Sequence, residues 1–279
     1  MRYPLLTLLL PLLLCTCDPA PETETAQEAE ISAAQQAVER NSNIVIADDP
    51  NPAAPGFNLA GSDPRAIAVA DSVVKYHGGR AAWDATRYLR WNFFGARDLH
   101  WDRQAQRVRI DVPNDNTVYL LDYSERPLTG RVRVKGNEVT DPEELSRLLQ
   151  KAYSIFINDS FWLVQQFKLK DDGVTLKLLE DVNVDSQVGR PSFVLEQTFD
   201  GVGDTPQNRY LLFVDKRTYM INTWQFFRDV ADTEPAMETP WKGLIPYRGL
   251  LLSGDRGGKY QLSDIGAPRT MRESLFTEF

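Results

Sequence analysis

Residues 88–122 read YLRWNFFGARDLHWDRQAQRVRIDVPNDNTVYLLD, and the spacing of their apolar residues decides the fold. Tyr88–Phe94, Arg107–Val112 and Thr117–Asp122 alternate apolar and polar side chains, the period of strands with one buried face. Arg131-Val132-Arg133-Val134 continues the pattern into a Lys135-Gly136-Asn137 turn, so an antiparallel meander is expected here. His100-Trp101-Asp102-Arg103 is expected at a strand end.

Outward from this stretch the period changes. Upstream, residues 62–79 read SDPRAIAVADSVVKYHGG: Asp63 suits an N-cap, Pro64 the first helical position, and Ile67, Ala70, Val74 and His77 share one face. Gly78 and Gly79 end that helix, and a short helical turn follows through Ala81, Ala82 and Trp83. Downstream, Asp141-Pro142-Glu143-Glu144 carries a second capping signal, and Leu145, Leu148, Leu149, Ala152 and Tyr153 give an apolar helix running to Phe156. Strands are then expected over Val174–Leu179, Ser192–Phe199, Asn208–Val214, Met220–Phe227, Leu250–Leu252 and Lys259–Leu262, with turns at Asp171-Asp172-Gly173, Asp200-Gly201, Asp215–Arg217 and Gly254–Gly258. Helices this few and this separated do not make a parallel βαβ sheet. The expectation is an α+β domain: one large antiparallel sheet, strongly curved around one or two apolar helices.

The N-terminus is of a different kind. Residues 1–17, MRYPLLTLLLPLLLCTC, place Arg2 before a leucine-rich run from Leu5 to Leu14. A helix needs about 20 apolar residues to cross a ~30 Å hydrocarbon core, so this run is too short for a span and has the layout of a signal peptide. Leu14-Cys15-Thr16-Cys17 resembles the bacterial lipobox, which implies a signal peptide over residues 1–16 and acylation of Cys17. Both cysteines of the chain lie in this segment, so the remainder holds no disulfide, zinc–thiolate site or cysteine nucleophile. Residues 17–60 are rich in Pro, Glu, Thr, Ala and Gln and are expected to be a disordered acidic tether, with a weak helix over 31–40. From Asp18 on they carry eight acidic residues against Arg40 alone, which leaves a net charge of only −2 of the chain's −8 for residues 61–279. The acidity belongs to the tether, and a near-neutral exported domain without a basic run argues against nucleic acid as a partner.

Residues 61–279 are expected to form one domain. Within it, Tyr76-His77-Gly78-Gly79-Arg80-Ala81-Ala82-Trp83, then Leu89, Trp91 and Phe93, then Trp101-Asp102-Arg103 and Val108-Arg109 resemble a group of largely uncharacterised Gram-negative envelope lipoproteins. In that group a His-Gly-Gly and Trp signature closes a helix before the first strand. Ile157–Leu163, with Phe167-Lys168-Leu169 and Asp172-Gly173-Val174, resembles its second signature. The group in turn resembles the periplasmic lipoprotein carriers and receptors of LolA/LolB type. The resemblance implies a half-open barrel closing over helices, with an apolar cavity for acyl chains.

Enzyme signatures are absent: neither histidine is part of a metal-binding pair, and there is no Gly-rich phosphate loop and no Gly-x-Ser-x-Gly elbow. No catalytic residue, metal or cofactor is expected, an Asp/Glu-dependent hydrolase being the remaining enzymatic alternative. His77 is read as closing its helix, as a cation or donor against free carbonyls, and His100 as stabilising a turn. Asp102 and Arg103 are read as pairing with each other's neighbours on a solvated strand end, Asp171 and Asp172 as turn residues, and Asn158-Asp159-Ser160 as the cap of a short helix carrying Phe161 and Trp162.

The aromatics are the sharper signal and admit two readings. They are core packing, or some of them line an apolar pocket between the sheet and the Leu145–Phe156 helix. On the second reading Trp91, Phe93, Tyr119, Leu149, Phe156, Trp162 and Trp224 are the candidate ligand-binding residues. The functional expectation is a lipid-anchored protein of the cell envelope, at the outer membrane, that binds or carries a lipid, acyl chain, lipoprotein or other apolar cargo. The alternative is a structural lipoprotein docking another envelope protein.

Overall fold

The structure, a computed structural model, describes residues 50–180, 184–258 and 260–279. The signal segment, Cys17, the tether as far as residue 49 and the helix expected over 31–40 lie outside the described residues.

The described chain is α+β and antiparallel. Two helices, α1 (Pro64–Tyr76) and α2 (Arg80–Ala85), precede β1 (Tyr88–Phe93), β2 (Arg97–Asp102), β3 (Arg107–Val112), β4 (Thr117–Asp122), β5 (Thr129–Val134) and β6 (Asn137–Glu138). The long helix α3 (Pro142–Val164) leads to β7 (Val174–Leu179), β8 (Ser192–Phe199), β9 (Arg209–Asp215) and β10 (Ile221–Phe227). After these come β11 (Met237–Pro240), β12 (Lys242–Tyr247), β13 (Leu250–Asp255), β14 (Leu262–Gly266) and a last turn of helix, α4 (Ser274–Thr277). Strands β14-β1-β2-β3-β4-β5-β6 form an open seven-stranded sheet, β11-β10-β9-β8-β7 a five-stranded sheet, and β12-β13 a hairpin. The strands thus divide among three hydrogen-bonded units, of which the seven-stranded sheet is the large open sheet expected over an apolar helix.

The meander holds in register: Trp91 faces Leu99, Leu99 faces Ile110, Ile110 faces Tyr119 and Tyr119 faces Val132, placing one apolar row across five strands. The helix α3 lies against β3, β4, β5 and β13. Its buried face, Leu148, Leu149, Ala152, Phe156, Trp162, Leu163 and Val164, joins a single core that also takes in Leu195, Leu212 and Trp224 of the five-stranded sheet. Burying one such side chain contributes roughly 1.5–3 kcal/mol, so this shared layer, which no main-chain bond crosses, is the main tie between the sheets.

Several expectations need correction. Helix α3 does not stop near Phe156 to restart at Asn158; it runs unbroken from its Asp141 cap, which accepts the Glu144 N–H at 2.8 Å. Asp159 and Ser160 are buried mid-helix, Asp159 bonded to Arg97 rather than to a helix N-terminus. The stretch 100–103 does close a strand, β2 (Arg97–Asp102), whose start at Arg97 was not expected. The strand expected over Lys259–Leu262 is β14, Leu262–Gly266, paired with β1. The hairpin partner β12 and the edge strand β11 were not expected.

Residues 51–60, read as tether, make specific contacts. The Ala54, Asn58 and Asp63 N–H groups donate to the Lys170, Val174 and Leu176 carbonyls, in the same order along both segments, while Gly173 N–H donates to Gly56. Phe57 enters the core and Asn51 Nδ2 bonds Asp71 at 2.9 Å. This strap lies along β7, the outermost strand of its sheet.

Candidate ligand site

The seven candidate ligand residues all lie in the one core, Trp162 being the most exposed of them at 8%. They form two groups along α3. Toward its middle, Phe156 packs on Trp101 at 5.0 Å and on Tyr123 at 5.1 Å between ring centroids. At its C-terminal end Trp162 meets Phe93 at 6.1 Å, Phe94 at 5.0 Å, Trp224 at 4.9 Å and Tyr260 at 5.8 Å. Phe93, Trp162 and Trp224 are therefore brought together, whereas Phe156 belongs to the other group. Trp91, Tyr119 and Leu149 are buried in the same core with no ring contact to either group among the described residues.

The Trp162 group is held at a junction. Its ring touches β1 on one side and β10 on the other, strands of two sheets. Phe94, in a left-handed conformation (φ 56°) just after β1, and Tyr260, just before β14, are only partly buried and form its outer wall. Beside Phe93, Arg97 donates from Nε and Nη2 to the two oxygens of Asp159 at 2.7 and 3.0 Å, with its guanidinium 4.8 Å from the Phe93 ring. Burial pushes the Asp159 carboxyl up, against the pull of Arg97.

On the other side lies Arg256, in the turn after β13. Only 2% exposed, it donates to Trp162 O at 2.6 Å, to Ser253 Oγ at 2.6 Å and to Asp255 O at 3.2 Å, with its guanidinium 4.0 Å over the Trp241 ring. It thereby caps the C-terminal end of α3, where carbonyls lack intrahelical partners. Burial pulls its pKa down to about 9, with Asp255 opposing only through space. Nothing in the sequence singles Arg256 out. It stands in a Gly-rich turn, where a charged residue ordinarily faces water, and only the fold shows the Trp241 ring lying against it.

Two grooves open elsewhere. One of about 220 Å³ is lined by Arg65, Val69, Leu178, Phe193 and Tyr219, and one of about 350 Å³ by Arg109, Asp111, Arg272, Leu275 and Phe279. Neither includes a candidate ligand residue. Among the described residues, no group of three or more His, Cys, Asp or Glu side chains converges as for a metal, and no helix is long and apolar enough to cross a membrane.

The remaining polar candidates take structural places. His77 Nδ1 lies 2.8 Å from Val73 O at the end of α1. His100 is half-buried in the middle of β2, between Arg90 and Arg109 in register, rather than in a turn. Asp102 is fully buried, not solvated: burial pushes its carboxyl up, but hydrogen bonds from Arg87, Ala105 N–H and Arg107 outweigh this and hold it below the usual range. Arg103 turns away from it to stack 3.4 Å over the Trp83 ring. Asp171 and Asp172 are turn residues, Asp172 accepting the Gly56 N–H at 2.7 Å.

No protein-family model and no curated protein matches this sequence. Two solved structures are similar to it. A DUF1329 family protein from Desulfovibrio piger is 16% identical over 78% of this chain and 98% of its own, with a TM-score of 0.42. A putative outer membrane lipoprotein-sorting protein domain from Vibrio parahaemolyticus is 14% identical over 68% of this chain and 87% of its own, with a TM-score of 0.34.

Proposed function

We propose that the chain is an envelope protein, anchored at the outer membrane through acylated Cys17, that binds an apolar ligand such as a lipid or acyl chain at the Trp162 end of α3. The observation that carries this is the junction of the two sheets. Among the described residues no strand of one is hydrogen-bonded to a strand of the other, and at Trp162 a ring of each sheet, Phe93 and Trp224, packs on the same indole. Ring pairs contribute about 0.5–1.5 kcal/mol each beyond their buried area. An acyl chain inserted between them exchanges one apolar contact for another and leaves every β-ladder intact. Phe94 and Tyr260, partly exposed, mark the side of entry.

The test is a titration of the full exported chain, made free of its anchor by Cys17→Ser, with a fluorescent fatty acid followed by energy transfer from tryptophan. Saturable binding is expected, weakened at least tenfold by Phe94→Asp, a change at a partly exposed position that leaves the core residues in place. A filled core, with the candidate residues at most 8% exposed, favours a second reading: a protein that docks another envelope component through its surface. Absence of fatty-acid binding by a well-folded chain overturns the first reading in favour of the second.

A further inference from the structure

On the inner face of the five-stranded sheet, Trp224 of β10 stands opposite Thr239 of β11. Trp241 follows two residues after Thr239, and its N–H donates to the carbonyl of Asn222 at 2.7 Å. Three contacts fix this patch on one point: the Trp224 ring packs tilted against Trp162, Arg256 donates to the Trp162 carbonyl, and the Arg256 guanidinium covers Trp241. Trp224, Thr239, Trp241 and Arg256 are each at most 3% exposed.

Every member of this patch holds a buried polar atom that meets no hydrogen-bond partner among the described residues: Asn222 Nδ2, Trp224 Nε1, Thr239 Oγ1, Trp241 Nε1 and Arg256 Nε. Four of these are N–H groups, and an indole or guanidinium nitrogen donates but does not accept. Buried polar groups in folded proteins are satisfied in the great majority, so five orphans on neighbouring side chains need an account. Their common chemistry supplies one: what satisfies them is an acceptor.

Charge narrows it further. Among the described residues Arg256 is the one arginine that is fully buried. The less buried Arg87, Arg97 and Arg107 each hold a carboxylate, Asp102 or Asp159, whereas Arg256 bonds only neutral oxygens. The Asp255 carboxylate beside it is engaged by Gly257 N–H and Gln261. A buried cation without a hydrogen-bonded counter-ion is costly, and an anion accepting from it lowers that cost.

We infer that this patch binds an anionic oxygen group, a carboxylate or phosphate, with Arg256, Trp224 and Trp241 as its donors, and that the ligand at Trp162 is an anionic amphiphile. The second half rests on the apolar reading above; the first half stands on the donors alone. The head group lies against β10, β11 and Arg256, and the tail runs between the rings of Trp162, Phe93 and Phe94.

Calorimetric titration of the full Cys17→Ser chain with four probes separates these statements: myristate, myristyl alcohol, acetate and inorganic phosphate. Myristate is expected to bind at least tenfold more tightly than the alcohol. Trp241→Phe keeps a ring and loses one N–H, and should weaken myristate severalfold while leaving the alcohol unchanged; Trp224→Phe, whose ring also lines the apolar contact with Trp162, should weaken myristate more than it weakens the alcohol. Arg256→Gln should abolish the preference. If that variant fails to fold by near-ultraviolet circular dichroism, the two indole variants still decide. Equal affinity for myristate and alcohol, or myristate binding unchanged in both indole variants, overturns the anion site and leaves the apolar ligand standing. Phosphate or acetate binding without either amphiphile supports the anion site and overturns the apolar reading. No binding of any of the four overturns both.

Discussion

Wholly buried at the C-terminal end of α1, His77 is neutral where its sequence position also suited a cation. Desolvation pulls its pKa down to about 4, against the hydrogen bond to Val73 O, which favours the charged ring. The unfolded chain takes up this proton near the ordinary value of about 6.5 and the folded chain does not. Stability is therefore complete above pH 6.5 and is lost as pH falls toward 4, by about 3 kcal/mol from this group. Urea unfolding at pH 7 and pH 4.5 should show that loss, and His77→Gln should remove most of it. His100, also lowered by burial, contributes a remainder that persists in the variant. A slope unchanged in the variant refutes the assignment. The sequence placed His77 at the helix end through the glycines after it, but burial, which decides the protonation state, comes from the hairpin: Leu251 N–H donates to His77 O at 2.8 Å. The same reason made Asp102 legible as a partner of arginine and illegible as buried. The C-terminal segment packs over that face of the sheet, with Phe276 against Tyr88 and Glu273 bonded to Arg107, and no local pattern announces it.

At the scale of elements, strands with clean alternation were legible almost to the residue, Ser192–Phe199 and Thr117–Asp122 among them. β2 was not, because Leu99 and Trp101 are its only apolar residues facing the core, set among Asp98, His100 and Asp102. The sequence divides α3 into two helices, because Asn-Asp-Ser is the usual signature of a helix start and here an arginine from β2 satisfies the aspartate within the helix. The candidate site was legible as a set of aromatics and not as an arrangement, since which rings meet depends on how α3 crosses the two sheets. Arg256 was missed altogether. The strap over residues 54–63 was hidden by its composition, rich in Pro, Gly and Asn, for it bonds through its main chain. It occupies the free donors and acceptors of β7, which an exposed edge otherwise offers to another chain. A chain beginning at residue 64, which also loses the Ser62 and Asp63 bonds to Leu176 and Leu178, is accordingly expected to self-associate. Size exclusion with light scattering should show dimers or larger species where the full Cys17→Ser chain is monomeric, and a monomeric truncation refutes this role.

At the scale of the whole molecule, charge and composition mark off a leucine-rich N-terminal run, an acidic stretch and a near-neutral remainder. The proposed anchor is tested by Triton X-114 partitioning of the full chain expressed with its leader. The protein should enter the detergent phase and Cys17→Ser should move it to the aqueous phase; a variant that still partitions into detergent sinks the assignment. If the anchor stands, the strap acquires a mechanical meaning. It is the first part of the folded domain on the way from the membrane, joined to the edge strand by a few hydrogen bonds in series. Tension arriving from residue 50 meets the Asn51–Asp71 bond first, peels the strap from Ala54 onward and loads the core where Phe57 enters it. Baring the edge of β7 breaks no hydrogen bond of either sheet's ladders, so the strap works as a fuse that yields ahead of the strands.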